Sequence, residues 1–234
     1  MLIFISAVFG LIVGSFLNVL ILRLGTGRTI VNSRSQCLSC SHTLTWHDLI
    51  PVFSFVLNRG RCRYCGSKIS LQYPIVELVT ALIFAILAYE NFAFIYYLIS
   101  SILIAIFVYD LRHKIIPDKL VYLFIILALL LALLTDQNIW TGLVLFGVFG
   151  SIWLVSKGRA MGFGDAKLVL GIGFLLGRDL SISAMLIAFW SGAIVGICLL
   201  LLSKSRVTLK SEIPFAPFLI FGMFMALFLN LTLI

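Results

Sequence analysis

Two aspartates interrupt apolar runs of this chain. Asp110 closes one run in Tyr109-Asp110-Leu111-Arg112, and Asp165 opens another in Gly162-Phe163-Gly164-Asp165-Ala166-Lys167. Ionisable groups inside membrane segments are costly and by default mark function. Two carboxylates brought from different helices to one depth can meet. Once close, both do not ionise readily, so the pair retains one proton. The ionised partner then takes a proton from water, while the protonated partner hydrogen-bonds a scissile carbonyl. That is general acid–base hydrolysis of a peptide bond without a covalent intermediate. The pair titrates as a unit, so neither residue is assigned the acid role. Gly162 and Gly164 fit this chemistry, because glycine admits the close approach of an extended chain beside Asp165. Lys167, two residues on, and Asp118, after Ile116-Pro117, are read as supporting residues, with capping of the next helix the favoured reading of Asp118. Two other readings compete. Both aspartates could be helix-end residues, which suits Asp165 at a helix start but puts Asp110 against the wrong end of a helix dipole. Or the acidic pair serves a proton-coupled transporter, which predicts carboxylates near the bilayer midplane.

A second constellation is Cys37-Leu38-Ser39-Cys40 with Cys62-Arg63-Tyr64-Cys65. Two C-x-x-C knuckles at this separation have the spacing of a four-thiolate zinc site, since two intervening residues let both sulfurs of a turn reach one tetrahedral ion. Four thiolates leave no open position for a reacting water, so the expected zinc is structural. Free thiols or a redox pair are the alternative. His42 and His47 lie in the same stretch and read as ordinary loop histidines. Cys198 reads as a small buried apolar residue. Glu77 reads as a first-turn carboxylate that lies close to the membrane interior, and Asp48, Glu90, Asp136, Asp179 and Glu212 read as loop or interface residues.

These groups must be held by elements that the composition identifies. Of 234 residues, 62% are hydrophobic and 11% charged, and mean hydropathy is +1.18. Soluble domains carry about 25% charged residues, so lipid must serve as solvent for much of this chain. A bilayer is crossed by about 20 apolar residues. Eight such runs are expected, at residues 2–22, 74–89, 92–109, 120–134, 139–155, 166–177, 180–202 and 213–234. The sixth is short. The first is uncharged and too long for the apolar core of a cleaved signal peptide, so it is expected to be a retained helix. The fold class is therefore all-α and polytopic. Residues 1–22 form the first span, 23–73 a small zinc-binding domain, and 74–234 the membrane core.

The net charge of +8 does not point to nucleic acid, because the basic residues sit in short gaps between apolar runs. Sixteen of 17 fall in alternate gaps, ending with Lys204, Arg206 and Lys210, while the other gaps hold Glu90, Asp136 and Arg178-Asp179. By the positive-inside rule the basic side is cytoplasmic. Both termini are then expected outside, and Asp110 and Asp165 both at the cytoplasmic face.

Taken in order, these motifs resemble the type IV prepilin peptidases over nearly the whole chain. Gly14-Ser15-Phe16-Leu17-Asn18-Val19 is similar to that family's opening motif, and the two cysteine knuckles to its cytoplasmic domain. Ile69-Ser70, Gln72-Tyr73-Pro74 and Val76-Glu77 follow as in the family. Asp110 through Ile115-Ile116-Pro117-Asp118 resembles its first catalytic motif, and Gly162 through Leu168 its G-x-G-D box. Pro214-Phe215-Ala216-Pro217-Phe218 resembles its C-terminal signature. The resemblance implies a catalytic pair of Asp110 and Asp165 in a bacterial inner-membrane aspartic endopeptidase. Its substrates would be prepilins or pseudopilins with a short basic leader and a hydrophobic helix, cut at the cytoplasmic face. The products would serve type IV pili, type II secretion or DNA uptake. Many members also methylate the new N-terminus from S-adenosylmethionine. No G-x-G-x-x-G stretch marks a Rossmann-type site for that cofactor. Other G-x-G-D intramembrane proteases pair the same aspartates but lack the four-cysteine segment.

Overall fold

The computed structural model describes residues 1–26, 34–159, 161–202 and 213–232, and it is helical with short turns. Arg28, Lys204, Arg206, Lys210 and Glu212, and the end of the expected eighth run, lie outside the described residues. The chain divides into two compact units, Met1–Ala105 and Ile106–Ile234.

The first unit contains α1 (Leu2–Arg23), a 3-10 turn at Trp46–Leu49, α2 (Phe53–Leu57), α3 (Gln72–Tyr89) and the start of α4 (Phe94–His113). α1 packs on α3 through two glycines four residues apart. A Cβ on Gly10 would lie 2.7 Å from the Ala81 Cα, and one on Gly14 2.7 Å from the Glu77 Cα. Small residues at this spacing let helix backbones touch, which is how helices gain contact where lipid removes the hydrophobic drive between them. Polar groups in the seam are paired, as an apolar solvent demands. Ser6 Oγ donates to the Phe84 carbonyl at 2.8 Å, buried Asn18 Nδ2 to the Tyr73 carbonyl at 3.1 Å, and Gln72 Nε2 to Asn18 Oδ1 at 3.2 Å.

The second unit contains the end of α4, α5 (Asp118–Leu134), α6 (Trp140–Ser156), α7 (Phe163–Leu202) and α8 (Ala216–Leu229). Here too glycines set the contacts around α7. Gly171 admits the Phe124 ring of α5, Gly173 meets the backbone of Gly142 in α6, and Gly222 of α8 meets the Ala184 carbonyl.

The expectation of eight spans is corrected. Among the described residues fewer helices are long and apolar enough to cross a bilayer, and runs six and seven follow one another directly as two arms of α7, which kinks at Gly177. Arg178-Asp179 looks like a loop in a hydropathy profile, yet only Gly177 leaves helical geometry, at φ 69°, ψ −163°. That region is essentially reserved for glycine, so one residue supplies the break that a loop was expected to make. α1, α3, α4 and α7 are long and apolar enough to cross a bilayer, and α6 and α8 are shorter apolar helices. The chain is thus all-helical with several apolar helices, as a multi-pass membrane protein requires. Cys198, expected to be buried, is exposed on α7. Where lipid is the solvent, a small apolar side chain has no reason to hide.

Candidate active site

Asp110 lies on the last turn of α4 and Asp165 on the first turn of α7. Both belong to the second unit and both are buried, with 4% and 8% of their surface exposed. The two carboxylates lie within electrostatic reach of one another. The N–H of Ala216, first residue of α8, lies near the Asp110 carboxylate, and the N–H of Gly162 near that of Asp165. The Ala216 contact resolves the objection to Asp110 as a helix-end residue. Its own helix presents the negative end of a dipole, but the positive end of α8 faces it.

The supporting residues gather round this pair. Gly162 stands where a Cβ would be 3.4 Å from Asp165 Oδ2, and Gly164 where one would be 3.0 Å from the Cβ of Ile116. The G-x-G spacing therefore lets the residues before Asp165 pass close to its carboxylate and to the segment that follows Asp110. Asp118 is the first residue of α5, with Pro117 at the cap position and no side-chain cap bond. Its carboxylate instead accepts from Lys167 Nζ at 2.5 Å. The same ammonium sits 4.9 Å from the Tyr122 ring centre and 5.1 Å from that of Phe163. Asp118 thus ties the start of α5 to the first turns of α7, and the capping reading is replaced.

The four cysteines meet in the first unit. Their sulfurs all lie within 4.8 Å of one another, with Cys37 and Cys65 at 3.9 Å. A tetrahedral ion with bonds of about 2.3 Å would set its sulfurs about 3.8 Å apart, so the cluster fits zinc. The two knuckles are alike. Bridges Gln36–Thr43 and Arg61–Lys68 close them, and the turn residue after each second cysteine has positive φ, 58° at Ser41 and 70° at Gly66. Backbone N–H groups of Cys40 and Ser39 hold the Cys37 thiol down to about 6. The Ser67 hydroxyl and N–H also lower Cys65. For Cys40 the His42 N–H favours the thiolate, but lost hydration and the bonds to Cys65 and Cys37 outweigh it and push it up to about 11. Four crowded sulfurs do not all shed protons unaided, and a bound divalent ion is what lets them. Neither histidine joins the cluster. His42 stacks on Tyr64 and His47 on Trp46.

Three contacts were beyond the sequence reading. The Ala216 N–H is a backbone group, and the only trace of it was the Pro214–Phe218 motif around it. Ile116 opposes Gly164 from within a motif singled out for its acids. Glu77, read as a first-turn residue, is buried and accepts the Val52 N–H at 2.7 Å.

Comparison with known proteins gives the family of the chain. Residues 8–91 match the bacterial peptidase A24 N-terminal domain, and residues 97–197 match the type IV leader peptidase family. A prepilin leader peptidase/N-methyltransferase of Myxococcus xanthus (strain DK1622) is 34% identical over 219 residues, covering 88% of this chain and 65% of the relative. One from Bacillus subtilis (strain 168) is 32% identical over 230 residues, covering 94% and 91%. One from Aeromonas hydrophila is 32% identical over 258 residues, covering 94% and 88%. No solved structure matches. With two successive family regions matched, and a relative of almost equal length aligned nearly end to end, the chain belongs to the type IV leader peptidase family.

Proposed function

We propose that this chain is an aspartic endopeptidase that removes the leader of type IV prepilins or pseudopilins at the cytoplasmic face of the bacterial inner membrane. The observation that carries it is the pair Asp110 and Asp165, buried at two helix ends within electrostatic reach of each other. In this reading the pair shares one proton. The N–H groups of Ala216 and Gly162 each occupy one acceptor site and hold a carboxylate in place. The remaining lone pairs face the attacking water and the scissile carbonyl. The substrate helix must unwind at the cut, because a helical peptide bond is shielded by its own hydrogen bonds. Gly162 and Gly164 give an extended chain room beside Asp165. Lys167, held by Asp118, fixes the first turns of α7 that carry Asp165. The excess of Lys and Arg in alternate gaps supports a cytoplasmic site.

Cys37, Cys40, Cys62 and Cys65 would hold zinc, which supplies a crosslink between the two knuckles and no reacting water. The relatives' names include N-methyltransferase, and methylation of the new N-terminus is proposed as a second activity. The glycines most closely approached by other backbone, such as Gly10, Gly14, Gly173 and Gly222, all serve helix contacts. None forms a cradle for S-adenosylmethionine, so no residue is assigned to that cofactor and no step is routed through it. Transport by the acidic pair has no support, since both aspartates stand on terminal turns rather than mid-helix.

The test is cleavage of a purified prepilin in detergent by the wild type, Asp110→Asn, Asp165→Asn and the loop control Asp136→Asn. Loss of general acid–base chemistry costs about 10²–10⁴-fold, and both dyad variants should show it while remaining folded. Wild-type cleavage by either one overturns the proposal.

A further inference from the structure

Outside the long apolar helices, the first unit exposes apolar side chains that no other element covers among the described residues. On α2, Phe53, Val56 and Leu57 are 57%, 65% and 66% exposed. They stand at i, i+3 and i+4, so they share one helix face. Phe55 turns the other way and packs over Gly60. Just upstream, Trp46 is exposed as well and stacked on His47.

The height of this face is fixed by a hydrogen bond. The Val52 N–H, one residue before α2, donates to buried Glu77. Glu77 is the sixth residue of α3, which begins at Gln72, so the bond lies about 7–8 Å along that helix at 1.5 Å per residue. α2 therefore starts beside the second turn of a membrane-length helix, not out in water. The chain is bent into this position. Val52 has φ 61°, ψ −47°, and the Phe53 N–H donates to the Pro51 carbonyl at 2.6 Å. That is the rare positive-φ γ-turn, strained for a β-branched residue.

Charge names the occupant. Arg34, Arg59, Arg61, Arg63 and Lys68 are all exposed. Between residues 34 and 71 they face one carboxylate, Asp48, which is engaged by Thr45 and Tyr64. The region stays net positive even with a zinc ion among four thiolates. Aromatic and aliphatic side chains beside clustered cations suit an anionic lipid surface.

We propose that the face formed by Phe53, Val56 and Leu57, with Trp46 beside it, is an interfacial anchor seated in the anionic headgroup layer of the leaflet where α1 ends and α3 begins. It holds the cysteine segment against the membrane. The occupant is lipid, and the cations around it select anionic headgroups.

The test uses the full chain in vesicles of phosphatidylcholine with phosphatidylglycerol, made with or without bromine on the acyl chains. Val56→Trp and, independently, Leu57→Trp add tryptophan emission on the face, and Arg63→Trp adds it on a knuckle. Bromine should cut the emission added at 56 and 57 roughly twofold or more, as at a headgroup–acyl boundary, and leave that added at 63 unchanged. Quenching at 56 and 57 should weaken in phosphatidylcholine alone. Added emission at 56 and 57 as unquenched as that at 63 overturns the anchor. Blue-shifted but unquenched emission overturns it too, giving the face to a second copy or another protein. Equal quenching in phosphatidylcholine alone overturns the selection of anionic lipid.

Discussion

Gly14→Ala adds one methyl group where α1 and α3 touch, and its cost can be worked from distances. The new Cβ would lie 2.7 Å from the Glu77 Cα and 3.1 Å from the Thr80 hydroxyl. Carbon atoms settle at about 3.5–4.0 Å, so the two helices must part by roughly 1 Å. Backbone is the obstacle, so no side chain can swing aside. Overpacking of this kind costs about 1–3 kcal/mol. The Asn18–Tyr73 bond, at 3.1 Å, is stretched out of range, and an interhelical bond in a membrane protein is worth about 0.6 kcal/mol. Alanine's better helix propensity returns up to about 1 kcal/mol. The net loss is about 1–2.5 kcal/mol. Gly147→Ala is the matched control, because nothing lies within 4 Å of a Cβ there, and it should gain up to about 1 kcal/mol from propensity alone. For a chain of this size 1 kcal/mol moves the midpoint by about 2–4 °C. Thermal unfolding in detergent, followed by tryptophan emission, should therefore separate the two variants by roughly 4–14 °C. If Gly14→Ala melts at or above Gly147→Ala, the backbone seam between α1 and α3 is wrong.

Three further outcomes are expected. Gly164→Ala must push Ile116 by a few tenths of an ångström, since its Cβ would be 3.0 Å away, whereas Gly162→Ala makes an ordinary 3.4 Å contact with Asp165. As a 1 Å misplacement can cost 10²-fold, prepilin cleavage should fall roughly fivefold for the first and by less for the second, and the reverse order would refute the assignment. Asp118→Asn breaks the pair with Lys167, but the Asp118 side chain is 67% exposed. Its melting should shift by less than about 1 kcal/mol, and a larger loss would show the pair to be shielded. In metal-stripped protein, Cys37 is the thiol held down to about 6 and Cys40 the one pushed up to about 11. A lowered thiol stays reactive at neutral pH and loses reactivity as pH falls through about 6, so iodoacetamide with mass spectrometry should mark Cys37 first, and earlier labelling of Cys40 would contradict this.

The sequence was most legible where residue type conflicts with surroundings. Asp110 and Asp165 stood out because carboxylates are rare in apolar runs, and the cysteines because thiolate spacing is dictated by one ion. Contacts that depend on the partner were not legible. Gly10 and Gly14 carry the right spacing for a helix seam, but spacing does not say which helix they face. The partner of Asp118 lies 49 positions away, and the Ala216 N–H is a backbone group that any residue but proline would supply. The boundary between runs six and seven was legible from Arg178-Asp179, but its form was not, because a hydropathy window registers a polar gap whether the chain makes a loop or kinks at one glycine, as it does at Gly177. Cys198 was misplaced by a rule of burial made for water.

The break at Gly177 has a consequence for how the chain is made. It leaves α7 with a first arm from Phe163 to Leu176, about 21 Å long at 1.5 Å per residue against about 30 Å of hydrocarbon. That arm carries Asp165 and Lys167, and it is too short and too polar to settle in lipid alone as it leaves the ribosome. Its seats are the Phe124 ring of α5 and the Gly142 backbone of α6, which are synthesised earlier and can wait for it. The N–H near Asp110, at Ala216, arrives later still, with α8. Synthesis thus imposes a schedule, in which the surroundings of Asp110 are completed only when α8 is in place.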